Sequence, residues 1–285
     1  MYKEVGISSN NVPITLSIWY TERSSPTIVF LPGTMSHPLM YENFLCGLSE
    51  RGFNIIGIHY LSHGKSPKIK KNYTMEDLLH NVYDATTYGI ENFGENIAVM
   101  GSSQGGILAA MAAGRDTRLK AVFPHNIMLT TLKETMSLTK YPAWSHRFMG
   151  LIQLGFRVGG KLLPNYKVPG DAYLDYDRVF YSEQAKQDCL NDPMLLSYYP
   201  LRFVGSLFNA DLSCLENGAI QCPVILITAK GDPLFSFDYT NKVFDLIHVP
   251  QKELLALELN RHMIFNEDTD TTINALEPTL HKYLG

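Results

Sequence analysis

The sequence predicts an α/β fold in which a mostly parallel central sheet is flanked by helices. Short apolar runs of strand length alternate with helical segments over most of the chain, which is the pattern of successive β-α-β units. Several of these runs are apolar throughout, which indicates strands covered on both faces. Between residues 127 and 217 the alternation stops, which indicates an insertion. A length of 285 residues suits one domain that carries such an insertion.

The first half of the chain supplies most of the predicted sheet. Gly52 is expected to end one helix, and Thr74 is expected to cap the next because Glu76 and Asp77 lie in its first turn. The predicted elements are, in order, a hairpin over 2–20 with its turn at 8–11, a strand over Thr27–Leu31, a helix over 41–51, a strand over 53–59, a helix from 74 to about 92, a strand and an alanine-rich helix over 96–111, and a strand over 119–123.

The second half resumes this rhythm after the insertion. The predicted elements there are a strand over 223–228, a helix over 237–247, a strand over 252–257 and a helix over 271–283. Residues 127–217 are rich in Tyr, Phe, Leu and Met, include Trp144, and contain no clean strand pattern. We therefore expect a core formed by residues 1–126 and 218–285, with a mainly helical cap over 127–217 at the carboxyl edge of the sheet.

Composition and charge exclude several classes of protein. Apolar residues make up 45% and charged residues 18%, and the net charge is −4, which is ordinary for a globular protein. The largest basic run is residues 68–71, which is typical of a solvated loop, so we expect no nucleic-acid partner. The N-terminus lacks the apolar stretch of a signal peptide, and no run is long enough to span a membrane. Four cysteines without paired spacing predict free thiols and a cytoplasmic location.

Residues 96–111 contain the strongest functional signal. An apolar strand turns sharply at Ser103 into a helix, with Gly101 and Gly105 two positions to either side. A Cβ at either glycine would clash in so tight a turn, while the strained turn residue lifts its hydroxyl clear of the sheet. Ser103 is therefore the predicted nucleophile, although a plain glycine-rich turn has the same sequence pattern. Ser102 is a weaker choice, because it lacks flanking glycines.

Two further polar residues follow predicted strands and complete a catalytic pattern. Asp232 follows the strand over 223–228, and His262 follows the last strand. Functional groups gather at the carboxyl ends of parallel strands, and the order Ser, Asp, His is that of the hydrolase triad on such a sheet. Asp232 also suits a plain turn, and His262 an ordinary loop. The competing acids Asp238 and Asp268 do not directly follow a strand.

Together these motifs resemble the α/β-hydrolase superfamily, and in particular the serine hydrolases grouped with lysophospholipases and monoacylglycerol lipases. The matching segments are residues 31–34, 62–66, 101–105, 231–233 and 261–265. The sequence departs from that family at Pro32, where His is usual, and at residues 61–62, where Arg-Gly is usual. The resemblance implies an α/β-hydrolase fold, and it places the turn at Thr34 beside the nucleophile.

The chemistry assigns a role to each of these residues. Ser103 needs a base, so His262 takes its proton and later gives it to the leaving group. Asp232 fixes the His262 tautomer and stabilises the imidazolium. The oxyanion needs donors already in position, and the backbone amide of Gln104, which follows the nucleophile, is one. The resemblance gives the amide of Thr34 as the other.

The predicted function is a cofactor-independent serine hydrolase that cleaves a carboxylic ester through an acyl-enzyme. The apolar insertion indicates a small acyl-ester or lysophospholipid-like substrate with an apolar portion. An aminopeptidase, a thioesterase and a C–C bond hydrolase on the same triad stay open, as does a non-catalytic ligand-binding protein. His59 and His63 have the i, i+4 spacing of a metal pair but no evident third ligand, so no metal is expected. The oligomeric state stays open.

Overall fold

A computed structural model describes residues 1–69 and 72–285 of the chain. The basic run over 68–71, which we expect to be a solvated loop, is therefore described only as far as residue 69, and Lys70 and Lys71 lie outside the described residues. None of the helices in the described part of the chain is both long and apolar enough to cross a membrane.

The described residues form ten strands and ten α-helices, joined by loops and short 3₁₀ turns. The strands are β1 Tyr2–Ser9, β2 Val12–Trp19, β3 Thr27–Leu31, β4 Asn54–His59, β5 Ile97–Ser102, β6 Ala121–His125, β7 Lys167–Pro169, β8 Tyr198–Pro200, β9 Val224–Ala229 and β10 Lys252–Leu257. The helices are α1 Glu42–Glu50, α2 Met75–Phe93, α3 Gln104–Ala113, α4 Met149–Leu162, α5 Tyr176–Val179, α6 Glu183–Leu190, α7 Leu201–Leu207, α8 Phe237–Leu246, α9 Ile264–Glu267 and α10 Thr269–Leu284.

Eight of these strands form one sheet in the order β1-β2-β4-β3-β5-β6-β9-β10. The pairs β1–β2 and β2–β4 are antiparallel, and the other neighbours are parallel. Alternate residues of the central strands face opposite ways: Val29 and Val99 pack with α2 and α3, whereas Phe30 and Met100 pack with α1 and α10. This is the predicted mostly parallel sheet with helices on both faces.

The caps and turns follow from local sequence. Thr74 and Asp77 form a reciprocal capping box at the start of α2, as the acidic first turn predicts. The hairpin of β1 and β2 turns at Asn10 and Asn11, which both have positive φ, a conformation that asparagine tolerates better than most residues. β6 differs from the prediction, because it begins at Ala121 and runs on to His125.

The segment over 127–217 contains the helices α4 to α7, and it also contains two short strands that the sequence pattern did not indicate. β7 and β8 pair antiparallel and form a small separate sheet. Each strand has only three residues, which is too short to show an alternating pattern. Each also includes a proline, a residue type that argues against strands. The domain bounds at 127 and 217 stay a prediction.

Candidate active site

Close packing of glycines shapes the turn at Ser103. The residue joins β5 to α3 with φ 52° and ψ −112°, a strained conformation for a side chain with a Cβ. A Cβ added at Gly101 would lie 2.0 Å from the Gly105 carbonyl oxygen, and one at Gly105 would lie 2.1 Å from the Leu31 oxygen. Strand, turn and helix therefore approach as closely as the sequence pattern predicts.

Asp232 and His262 lie side by side at the carboxyl ends of β9 and β10. The Nδ1–H of His262 donates to Oδ2 of Asp232 at 2.9 Å, and both side chains are buried. The other two candidate acids are elsewhere: Asp238 is exposed, and Asp268 forms an ion pair with Arg261 at 2.5 Å. Of the three acids considered, only Asp232 contacts the predicted base.

Four hydrogen bonds converge on the Asp232 carboxylate. Besides the His262 ring, Oδ1 accepts from the amides of Leu234 at 2.7 Å and Phe235 at 2.9 Å, and Oδ2 accepts from the Asn126 side-chain amide at 2.9 Å. Burial alone would raise the pKa of Asp232, but the His262 ring and the Phe235 amide outweigh it, and the pKa lies below its usual value. The carboxylate is therefore held in its charged form.

Sequence reasoning missed Asn126 and His125, which complete this network. Asn126 directly follows β6 at φ 61°, and its Oδ1 accepts from the Thr228 hydroxyl at 3.1 Å. His125 is buried with a pKa lowered to about 3, chiefly by burial and secondly by the nearby His262. Asn126 could have been found as a polar residue that directly follows a strand at the carboxyl edge of the sheet. It was missed because β6 was predicted to end two residues too early.

The His262 ring is held by aromatic neighbours on both sides. Phe235 stacks on it with a centroid distance of 5.5 Å and an interplanar angle of 10°, and the His125 ring lies 5.4 Å away at 33°. With its Nδ1–H committed to Asp232, the ring has Nε2 left to accept a proton. Packing and hydrogen bonding thus fix both its orientation and its tautomer.

Ser103 and His262 line the same pocket beneath the segment over 127–217. In the described part of the chain no hydrogen bond joins the Ser103 hydroxyl to the His262 ring, although contacts of this kind often tighten only when substrate binds. Ser102 faces elsewhere: its hydroxyl accepts from the buried Tyr41 hydroxyl at 3.4 Å and lines neither pocket at the turn.

The two predicted oxyanion donors lie beside Ser103. Gln104 is the first residue of α3, so its amide has no partner within the helix. The turn over 31–34 also reaches this point, since a Cβ at Gly33 would lie 3.7 Å from the Ser103 Cβ. The Gly33 and Met35 amides donate to Tyr hydroxyls, whereas the Thr34 amide donates to no group among the described residues.

Two pockets meet at the turn and share Thr34, Ser103, Leu174 and Leu234. The histidine-side pocket is also lined by Tyr41, His262, Met263 and residues of the insertion such as Tyr176 and Phe180. The glutamine-side pocket is also lined by Gln104, Ile107, Met128, Leu138, Thr139, Tyr173, Leu207, Phe208 and Phe235. The predicted nucleophile therefore opens toward two mostly apolar spaces.

Among the described residues, we considered two groups of possible metal ligands, and most of their ligand atoms are already engaged in hydrogen bonds. His59 and His63 do not converge: the His59 ring nitrogens bond to Ser17 and the Lys65 amide, and those of His63 bond to the Leu61 carbonyl and Tyr199.

The second group consists of His125, Asp232 and His262. Its ligand atoms lie within 4.8 Å of one another. The Asp232 oxygens already accept four N–H bonds, and the His262 Nδ1 already carries a proton. This group therefore fits proton transfer better than metal binding.

Comparison with known proteins identifies the family and the fold. The sequence profile of the family described as "Serine aminopeptidase, S33" matches residues 22–269. The chain is similar to a monoacylglycerol lipase of Paleococcus ferrophilus, with 19% identity, a TM-score of 0.78, and coverage of 95% of this chain and 99% of that one. No curated protein matches the chain.

Two further solved structures have the same fold. A soluble variant of the monoglyceride lipase of Saccharomyces cerevisiae, in complex with a substrate analogue, is 17% identical with a TM-score of 0.77, covering 99% of this chain and 95% of that one. The thioesterase domain from the curacin biosynthetic pathway is 14% identical with a TM-score of 0.66, covering 98% and 99%. The predicted α/β-hydrolase fold and the resemblance to monoacylglycerol lipases are thereby confirmed.

Proposed function

The chain belongs to the serine aminopeptidase S33 family of α/β hydrolases, and from that premise we propose that it is a serine hydrolase that cleaves carboxylic esters through an acyl-enzyme. The observation that carries the proposal is the buried Asp232–His262 pair, whose ring lines one pocket with the strained Ser103. A ligand-binding protein without catalysis has no need of a carboxylate held ionised behind an oriented imidazole.

The proposed mechanism uses each of these groups. His262 Nε2 takes the proton of the Ser103 hydroxyl as its oxygen attacks the ester carbonyl carbon, and Asp232 stabilises the imidazolium. The amides of Gln104 and Thr34, with the N-terminal end of α3, stabilise the oxyanion. The C–O bond to the alcohol then breaks, and His262 donates the proton to the departing oxygen. Water, activated by the same base, cleaves the acyl-enzyme and releases the acid.

The two pockets give the substrate an orientation. His262 lines only the histidine-side pocket, and it must reach the leaving oxygen, so the alcohol portion lies there. The acyl portion then enters the glutamine-side pocket, which Gln104 lines together with apolar side chains. This assignment supports a small ester with an apolar acyl portion, or a lysophospholipid-like ester, as substrate.

The alternatives on the same three residues are less well supported. An aminopeptidase needs an acidic group near the scissile bond to hold the substrate ammonium, and among the described residues that line the two pockets none is Asp or Glu. A thioesterase or C–C bond hydrolase fits the apolar lining equally well, so thioesters and β-diketones belong in the substrate panel. A cytoplasmic location is part of the proposal, supported by four free cysteines.

The test is active-site labelling with a fluorophosphonate followed by intact-mass measurement. We expect one adduct on the native chain and none on Ser103→Ala, with turnover of a p-nitrophenyl ester lowered by about three to six orders of magnitude. The neighbouring Ser102→Ala is the matched control and keeps both the adduct and most of the turnover. An adduct on Ser103→Ala, or its loss from Ser102→Ala alone, would contradict the proposal.

A further inference from the structure

Two buried polar side chains in the glutamine-side pocket have no hydrogen-bond partner among the residues that the structure describes. Neither the side-chain oxygen nor the side-chain nitrogen of Gln104 has one, and neither does the Tyr173 hydroxyl, although each residue is only 3% exposed. Both residues line the glutamine-side pocket beside Ser103. Unpaired buried polar groups are rare because each has lost its hydrogen bonds to water without gaining a partner in the protein. Their presence in one pocket indicates a ligand that supplies the missing partner.

The Tyr199 hydroxyl is a polar neighbour of the Gln104 side chain, but its own hydrogen bonds are already made to other groups. The Tyr199 hydroxyl accepts from the Met35 amide at 2.7 Å and pairs with His63 Nε2 at 3.0 Å. His63 Nδ1 bonds to a carbonyl oxygen and so carries the proton, which means that Tyr199 donates its own proton to Nε2. Burial raises the pKa of Tyr199 and the neighbouring Gln104 side chain opposes that rise, but the two groups form no hydrogen bond. The Gln104 oxygen therefore has no donor.

We propose that Gln104 and Tyr173 recognise an oxygen substituent on the acyl portion of the substrate, so that the preferred substrates are hydroxyacyl or ketoacyl esters. This inference rests on the proposed function, because it needs the acyl portion in the glutamine-side pocket. A hydroxyl both accepts from Tyr173 and donates to the Gln104 oxygen, while a ketone accepts from either. A plain acyl chain leaves both groups unpaired, and sites built to bond a hydroxyl discriminate strongly against such analogues.

The test compares p-nitrophenyl 3-hydroxybutyrate with p-nitrophenyl butyrate. We expect the ratio of their kcat/KM values to favour the hydroxy ester by at least about tenfold in the native chain. Tyr173→Phe and Gln104→Met, which remove the polar atoms at similar volume, lower that ratio. Tyr176→Phe, which alters the histidine-side pocket, is the matched control and leaves the ratio unchanged.

The outcomes separate this inference from the proposed function. A native ratio near one, or variants that slow both esters equally, would show that the acyl portion does not bond to these groups and would overturn the inference while leaving the hydrolase intact. Failure to cleave either ester, together with failure to label Ser103, would count against the proposed function itself.

Discussion

Glycines are tightly packed at the turn that contains Ser103, whereas they are loosely surrounded in helix α4. At the turn, glycines are enclosed: a Cβ at Gly105 would lie 2.1 Å from the backbone, whereas a Cβ at Gly150 or Gly155 in α4 would have no described atom outside the local helix backbone within 4 Å. The strands beside the turn are buried completely, whereas α4 leaves Leu162 73% exposed. The backbone positions at the candidate site are therefore fixed by close packing in the sheet core, whereas the insertion leaves apolar side chains exposed to solvent.

The largest effect on activity is expected from removing the negative charge of Asp232, which bonds to the His262 ring. Asp232→Asn is expected to lower kcat by about four orders of magnitude, because an amide at this position no longer holds the required His262 tautomer. Stopped assays with a p-nitrophenyl ester measure it. Asp238→Asn, on the exposed surface of α8, is the control and keeps kcat within about threefold. Comparable kcat values for the two variants would remove Asp232 from the mechanism.

Equal substitutions in the two regions test the packing contrast directly. Gly105→Ala is expected to lower the free energy of unfolding by about 3 kcal/mol or more, because its Cβ collides with the β3 backbone. Gly150→Ala has open space and adds helix propensity, so it is expected to raise the free energy of unfolding by up to about 1 kcal/mol. Urea titration measures both. Changes of the same sign and size would abolish the contrast.

Acid is expected to weaken the core through three buried histidines. Burial lowers the pKa of His59 and His125 to about 3 and that of His63 to about 4. The unfolded chain takes up protons as the pH falls below about 6.5, while the folded chain does not until about pH 4. The free energy of unfolding should therefore be highest above pH 6.5 and decline toward pH 4.

Urea titrations at several pH values measure this slope, which is up to about 1.4 kcal/mol for each pH unit and histidine. His63→Gln should make the profile shallower, whereas His80→Gln on the exposed face of α2 should leave it unchanged. A steeper profile for His63→Gln would show that the sign is wrong.

Local patterns in the sequence predicted the elements that depend on local physics. The strands Thr27–Leu31 and Lys252–Leu257 and the cap at Thr74 were predicted where they occur, because apolar runs of strand length and capping signals are both formed by adjacent residues. β7 and β8 were missed because three-residue strands have no detectable period. The end of β6 was missed because Pro124 and His125 are poor strand formers that tertiary pairing overrides.

The candidate site divides in the same way. Functional groups gather at the carboxyl ends of parallel strands, and this rule predicted the edge of the sheet at which Ser103, Asp232 and His262 lie. Their catalytic roles stay a prediction. The bond from Asn126 to Asp232 joins residues 106 positions apart and depends on the register of β6 against β9, which no local pattern encodes. The unpaired Gln104 side chain is likewise invisible in sequence, because a missing partner becomes apparent only after packing.

The backbone strain at Ser103 has an evolutionary consequence. A side chain with a Cβ at φ 52° and ψ −112° is less favourable than glycine there by on the order of 1–3 kcal/mol, so Ser103→Gly is expected to raise the thermal stability of this protein. Selection for thermal tolerance alone would remove the serine, and laboratory enrichment of heat-resistant variants should recover glycine at this position. A serine at this strained position is what the proposed role as nucleophile requires, even though it lowers the stability of the fold.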